Sequence, residues 1–60
     1  MKCSELKKML TARGCYFVRH GKRHDVWFSP ITGLNFVLPR HEGQEVPAGT
    51  LSSIKKAAGI

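Results

Sequence analysis

The chain has 60 residues, a formal net charge of +6 at pH 7 and 42% hydrophobic residues. A chain this short buries only about 60% of the surface that its unfolded form exposes. That size excludes a separate cofactor domain and a deep cleft for a small substrate. We therefore expect one domain over residues 1–60, with any chemistry taking place on a surface or in a shallow groove.

The positive charge is concentrated in one part of the chain. Residues 1–23 carry a net charge of +6, whereas residues 24–60 are neutral overall. A one-sided basic field is typical of a nucleic-acid binder or of a protein with an acidic partner. The longest apolar runs are only a few residues, too short for a membrane span or a secretory signal. We therefore expect a cytoplasmic location.

Two segments with helical spacing of apolar residues lie near the ends of the chain. The first helix is predicted over residues 4–13, with Ser4 as its N-cap and Gly14 as the residue that ends it. A polar loop precedes the second helix. Thr50 or its neighbour is expected to cap that helix, and Gly59 to end it.

Three strand-like runs lie between the helices, at residues 16–19, His24–Ser29 and 34–38. The links over residues 20–23 and 30–33 are short and contain glycine, so the strands are expected to pair as an antiparallel meander.

The element order α-β-β-β-α predicts an α+β fold, in which a three-stranded antiparallel sheet carries two helices on one face. Double-stranded-RNA-binding domains share this arrangement. Alternation divides the second strand into two sides, one with His24, Val26 and Phe28 and the other with Asp25, Trp27 and Ser29. The period alone leaves open which side faces the helices.

The two cysteines are not expected to form a disulfide. With a helix between them, the Cα atoms of Cys3 and Cys15 would lie roughly 18 Å apart, beyond the ~7 Å limit for a bridge. Neither they nor the three histidines follow a zinc-ligand spacing. No metal or cofactor is predicted.

The most informative segment is the turn before the second strand. Lys22 and Arg23 in a tight turn after Gly21 would hold a phosphate, and His24 would offer beside it a group that titrates near neutral pH. The combination predicts RNA cleavage without a metal, with His24 catalytic. Asp25 would favour the protonated form of His24 and the two cations would oppose it, so the sequence leaves the direction of the net effect open. The alternative is a basic hairpin with an unrelated surface histidine. His20 is expected to be a solvated turn residue, with a supporting role as the alternative.

Several short motifs follow one another in a characteristic order along the whole chain. They are Gly14, Arg19, the run Gly21-Lys22-Arg23-His24, the run Val37-Leu38-Pro39-Arg40-His41, and the closing run from Pro47-Ala48-Gly49-Thr50 to Gly59-Ile60. Their order, spacing and total length resemble the HicA family of type II toxin–antitoxin systems, which are small mRNA-cleaving toxins with a double-stranded-RNA-binding-like fold.

The resemblance implies that His24 is the catalytic residue of an mRNA endoribonuclease. It also implies that a HicB-like antitoxin neutralises the toxin by covering the active site. The chain departs from the family at Lys22 and Arg23, which replace a serine that many relatives have before the histidine, and Arg23 is then expected to position the phosphate.

The predicted RNA-binding residues are Arg19, Lys22, Arg23, Arg40, His41, Lys55 and Lys56. A loop position is the alternative for His41, and a solvated helix face is the alternative for Lys55 and Lys56. The aromatic residues Tyr16, Trp27 and Phe28 are expected to pack in the core or to face the antitoxin, with base stacking as the alternative. Two other functions stay open, a non-catalytic RNA-binding module and an interaction domain for an acidic partner.

Overall fold

The structure is a computed structural model that describes residues 1–41 and 43–60. Its elements are α1 (Cys3–Ala12), β1 (Tyr16–His20), β2 (His24–Ser29), β3 (Leu34–Pro39) and α2 (Ala48–Ala58). The strands form one antiparallel sheet in the order β1-β2-β3. The predicted α-β-β-β-α fold with a three-stranded antiparallel sheet is confirmed.

Both helices pack on the same face of the sheet. The side of β2 that contains Asp25, Trp27 and Ser29 is buried against them, whereas Val26 and Phe28 on the opposite side are only half-buried. The buried apolar residues form one core cluster drawn from both helices, the sheet and two loops: Cys3, Leu6, Leu10, Cys15, Trp27, Phe36, Leu38, Val46, Ile54 and Ala58. We refer to the uncovered side of the sheet as the open face.

Helix α1 begins one residue earlier than predicted, and Ser4 is not its N-cap. The N-cap is Lys2, whose side chain makes no capping hydrogen bond. The amide of Cys3 instead donates to the carbonyl of Gln44 at 2.9 Å, and Lys2 forms an antiparallel bridge with Glu45. The loop before α2 therefore accepts a hydrogen bond from one of the first amides of α1, which have no partner within the helix.

The end of α1 follows the prediction. Gly14 has φ of 91°, and its amide donates to the carbonyl of Thr11 at 3.0 Å. The amide of Cys15 donates to the carbonyl of Leu10 at 3.0 Å, which completes a Schellman motif. Cys15 is then buried in the core, and neither Cys3 nor Cys15 forms a disulfide.

Helix α2 begins at Ala48, so the prediction of a cap at or next to Thr50 is wrong. Pro47 is the N-cap, and its carbonyl already accepts the first helical hydrogen bond from the amide of Leu51 at 2.8 Å. Proline suits this end of a helix because its backbone is already restricted to a compatible φ and no amide is lost.

The C-terminal end of α2 is tied to the loop between β2 and β3. The hydroxyl of Ser29, which is fully buried, donates to the carbonyl of Ala58 at 2.6 Å, and the hydroxyl of Thr32 donates to that of Ala57 at 2.5 Å. These bonds satisfy carbonyls that have no partner within the helix. The last turn of α2 thus lies beside the end of β2 that is farthest from His24.

Strand β1 contains a bulge that the sequence pattern did not predict. Phe17 lies opposite Trp27, but the next regular pair is Arg19 opposite Val26, so the register shifts at the residue between them. Arg19 therefore lies on the open face with Val26, while His20 lies opposite Asp25 on the side that faces the helices.

Two strands are longer by one residue than predicted. His20 belongs to β1 because it pairs with Asp25, and Pro39 belongs to β3 because it pairs with His24. Proline is compatible with the end of β3 because β3 is an edge strand of the sheet.

Candidate active site at the β1–β2 turn

His24 is the first residue of β2 and is exposed to solvent. It lies opposite Pro39 of β3, and alternation along β2 places it on the open face together with Val26 and Phe28. Within residues 1–41 and 43–60, no side chain hydrogen-bonds to its ring or pairs with it. The ring is therefore available to a ligand at this end of the sheet.

The turn before His24 is closed by its backbone. The amide of Gly21 donates to the carbonyl of His24 at 2.7 Å. A Cβ atom at position 21 would lie 2.7 Å from the same carbonyl oxygen, so any residue other than glycine would force the backbone apart. Lys22 and Arg23 lie on the exposed tip of this turn, directly before the histidine.

Beneath the turn, a buried carboxylate joins three parts of the chain. The Nδ1 atom of His20 lies 2.7 Å from Oδ1 of Asp25, and Nε of Arg40 lies 3.4 Å from the same oxygen. The Arg40 guanidinium also donates through Nη2 to the carbonyl of Gly21. The side chain of Asp25 is only 7% exposed. Arg40, which directly follows β3, thus holds both Asp25 and the turn.

The neighbours of Asp25 keep it ionised. The hydrogen bond from His20 is the largest cause that lowers the pKa of the Asp25 carboxyl below its ordinary value. The positive charges of Arg40 and Lys7 lower this pKa as well, whereas burial opposes the shift. The sequence interpretation considered Asp25 only as a charge acting on His24, whereas the carboxylate contacts His20 and Arg40 on the side of the sheet opposite to His24.

The structure brings five of the predicted site residues to one end of the sheet: Arg19, Lys22, Arg23, His24 and Arg40. Arg19 shares the open face with His24, while the Arg40 guanidinium lies on the other side. His41 is exposed immediately after Arg40. Lys55 and Lys56 lie in the last turn of α2, near the opposite end of the sheet. For all of these residues the role in RNA binding remains a prediction.

Sequence reasoning missed the cluster of His20, Asp25 and Arg40. Pairing across the hairpin could have suggested it, since only four residues separate positions 20 and 25 along the chain. The bulge in β1 hid this signal, because a regular β1 that keeps Phe17 opposite Trp27 would place Arg19, not His20, opposite Asp25.

The described part of the chain contains no group of three or more histidine, cysteine, aspartate or glutamate side chains arranged to hold a metal ion. Among the same residues, no helix is long and apolar enough to cross a membrane.

The fold and the turn together define a class: a small two-layer α+β domain with a cationic hairpin tip flanked by the exposed His20 and His24 at one end of its sheet. The family model for the HicA toxin of bacterial toxin–antitoxin systems matches residues 3–60. The chain therefore belongs to the HicA toxin family and is a toxin of a toxin–antitoxin pair. No curated protein and no solved structure matches the chain.

The depressed pKa of Asp25 predicts how stability depends on pH. Because the folded-state pKa is lower than the unfolded-state value of ~3.9, the carboxylate contributes stability above that value and loses it as pH falls further. We expect the free energy of unfolding to decrease below about pH 4. Asp25→Asn should be less stable than wild type at pH 7, by about 1–3 kcal/mol, and less sensitive to acid.

Urea unfolding at pH 7, 5 and 3, followed by the fluorescence of the buried Trp27, measures both effects. If the free energy of unfolding changed with pH in the same way for wild type and Asp25→Asn, the assignment of this acid sensitivity to Asp25 would be contradicted.

Proposed function

We propose that this toxin is an endoribonuclease that cleaves mRNA without a metal ion, with His24 as its catalytic residue. The observation that carries the proposal is an exposed histidine at the start of β2, directly after a turn whose tip presents two cations, in a chain of the HicA toxin family. Lys22 and Arg23 would bind the phosphate, and His24 would transfer a proton beside it.

The reaction we propose uses the substrate's own nucleophile. The RNA 2′-hydroxyl attacks the adjacent phosphorus, the bond from phosphorus to the 5′-oxygen breaks, and the products are a 2′,3′-cyclic phosphate and a 5′-hydroxyl. Such a reaction requires proton transfer and stabilisation of negative charge on the phosphate. The cations at the hairpin tip supply the charge, and the exposed imidazole supplies proton transfer.

A shallow site of this kind suits a polymer. The turn, Arg19 and the open face offer an exposed surface along which a strand can lie, and phosphate contacts there would give affinity without reading sequence. We propose that Arg19, Lys22 and Arg23 make such contacts around His24, and that Arg40 supports the turn from below through Gly21.

The test of this function is cleavage by the purified chain. Incubated with an mRNA in the presence of EDTA, the protein should produce fragments that end in a 2′,3′-cyclic phosphate and begin with a 5′-hydroxyl. Gel analysis with end-specific enzymatic labelling identifies both ends. Activity that disappears with EDTA and returns with Mg²⁺ would contradict the metal-independent mechanism, and binding of RNA without any cleavage would favour a non-catalytic RNA-binding module.

We further propose that the partner is a HicB-like antitoxin that covers the β1–β2 turn with an acidic surface. The excess positive charge of residues 1–23 would attract such a surface and accelerate its encounter. On the open face, the exposed Tyr16 lies with its ring 5.5 Å from that of the half-buried Phe28, and both could serve as apolar anchors at the end of the hairpin away from the turn.

Co-expression with its antitoxin should slow amide hydrogen exchange over residues 19–28 at least several-fold relative to the free toxin, because direct masking excludes water from the turn. Exchange at the exposed Ile31 and Gly33, in the loop at the far end of β2, is the internal control. An inhibited complex in which residues 19–28 exchange as in the free toxin would show that inhibition acts at a distance.

A further inference from the structure

The ring of His20 is held in one orientation by a buried acid. An ionised carboxylate can only accept hydrogen bonds, so Nδ1 of His20 must donate to Oδ1 of Asp25 over the 2.7 Å between them. The ring also contacts that of Phe17, with 4.9 Å between centroids. Nε2 is then the free ring nitrogen of a side chain that is 70% exposed. Proteins use this carboxylate–imidazole arrangement to present a histidine for proton transfer.

We propose that His20 is a second catalytic residue of this toxin and acts as the general acid opposite His24, with Asp25 as its positioning residue. This inference rests on the proposed ribonuclease function. It concerns a residue that the sequence interpretation expected to be a solvated part of the turn, with a supporting role as the alternative.

The hairpin places the two histidines close together but on different sides. His20 lies opposite Asp25, and His24 is the neighbour of Asp25 along β2. With strands ~4.8 Å apart and a rise of ~3.3 Å per residue, their Cα atoms lie about 6 Å apart. Alternation sends the His24 ring to the open face, whereas His20 is on the side that faces the helices. Between them the chain forms the cationic tip.

This opposed arrangement matches the geometry of the reaction. In an in-line displacement at phosphorus, the attacking oxygen and the leaving oxygen lie on opposite sides of the phosphorus atom. A phosphate held at the tip by Lys22 and Arg23 with its reacting bonds directed across the hairpin would expose its two reacting oxygens toward opposite sides. His24 lies on one of those two sides and His20 on the other.

The proposed cleavage step conserves protons and electrons. His24 takes the proton of the 2′-hydroxyl while the bond from the 2′-oxygen to phosphorus forms. The bond from phosphorus to the 5′-oxygen breaks with its electron pair on the oxygen, and protonated His20 donates its Nε2 proton there. His24 ends protonated and His20 neutral, and proton exchange with water restores both. The ionised Asp25 stabilises the positive charge on His20 before the transfer.

The contacts of Asp25 hold the proposed general acid, His20, in a fixed position. The carboxylate is buried and held by Arg40 at 3.4 Å, and the same guanidinium binds the carbonyl of Gly21, which precedes the cationic tip. The amide of Gly21 in turn holds the carbonyl of His24. One network of contacts thus positions both histidines relative to the turn, which is the condition for two groups to act on one phosphate.

The experiment compares two substrates. One is an ordinary RNA, and the other carries sulfur in place of the bridging 5′-oxygen at the cleavage site, so that its leaving thiolate needs no proton. We expect His20→Gln to cleave the ordinary RNA at least about 10²-fold more slowly than wild type. It should cleave the sulfur-substituted RNA at nearly the wild-type rate. The matched variant His24→Gln should be slow on both, because a general base is needed in either case.

Circular dichroism and RNA affinity, measured by fluorescence anisotropy, should be unchanged in His20→Gln, because the side chain at position 20 is 70% exposed and a glutamine amide can still donate a hydrogen bond to Asp25. Asp25→Asn should show the same substrate dependence as His20→Gln to a smaller degree, as expected for a residue that acts through His20. Wild-type rates for His20→Gln on both substrates, or equal slowing on both, would overturn the assignment of His20 as the general acid. Either result would leave the proposed ribonuclease function intact. A wild-type chain that cleaves neither substrate would instead contradict the proposed ribonuclease function.

Discussion

Replacement of His24 by alanine is expected to abolish both growth arrest and mRNA cleavage, with a loss of at least about 10²–10⁴-fold in cleavage rate. The physical reason is that the exposed ring is available for proton transfer beside the cationic turn and contributes little packing. Induction of wild-type and variant chains in cells, followed by growth curves and mRNA integrity, measures the effect. The purified variant should keep the wild-type circular dichroism spectrum and RNA affinity.

Asn35→Ala is the matched control for this variant. Asn35 is exposed on β3 and lies opposite Phe28, on the same open face as His24 but near the other end of the sheet. It should leave toxicity unchanged if the active site is confined to the turn. Normal toxicity from a well-expressed His24→Ala chain would rule out His24 as the catalytic residue.

Leu38→Ala should have the largest effect on folding. Leu38 is fully buried, and it lies opposite Asp25 on the side of the sheet that both helices cover. Removing a buried leucine side chain costs about 2–5 kcal/mol. A domain of this size has a total stability of only about 3–9 kcal/mol. We therefore expect the variant to be largely unfolded, or to unfold at much lower urea concentration, as measured by circular dichroism.

The adjacent Val37 provides a matched control because it lies on the open face and is 53% exposed. Val37→Ala should cost about 1 kcal/mol or less, since it removes little buried surface. Equal destabilisation by the two variants would mean that the open face is also covered in solution. The comparison thus tests which face of the sheet packs on the helices, a question that the sequence left open.

Much of this fold is determined by local sequence. Gly14 ends α1 in a left-handed conformation, and the alternating run His24–Ser29 forms β2 with the bounds that were predicted. Such features depend on neighbours within a few residues, so a pattern of apolar residues and glycines is enough to predict them. The chain's motifs were also sufficient to indicate the HicA family, which the family match over residues 3–60 confirms.

The helix boundaries depended on distant contacts. Ser4 has the chemistry of an N-cap, but the carbonyl of Gln44 receives the amide of Cys3 and moves the start of α1. Thr50 likewise has suitable chemistry, but the helix already begins after Pro47. A capping residue is only a local preference, and a loop that reaches the helix end from elsewhere in the chain can replace it.

Only the tertiary structure decided which residues meet beneath the turn. The pattern in β2 could place either of its sides against the helices, and the packing of both helices on one face buried Asp25 rather than His24. The bulge in β1 then placed His20 instead of Arg19 opposite that carboxylate. Because side chains alternate with a period of two, a single extra residue exchanges the faces of all that follow. The partner of Asp25 is therefore set by strand register, which arises from contacts between distant parts of the chain.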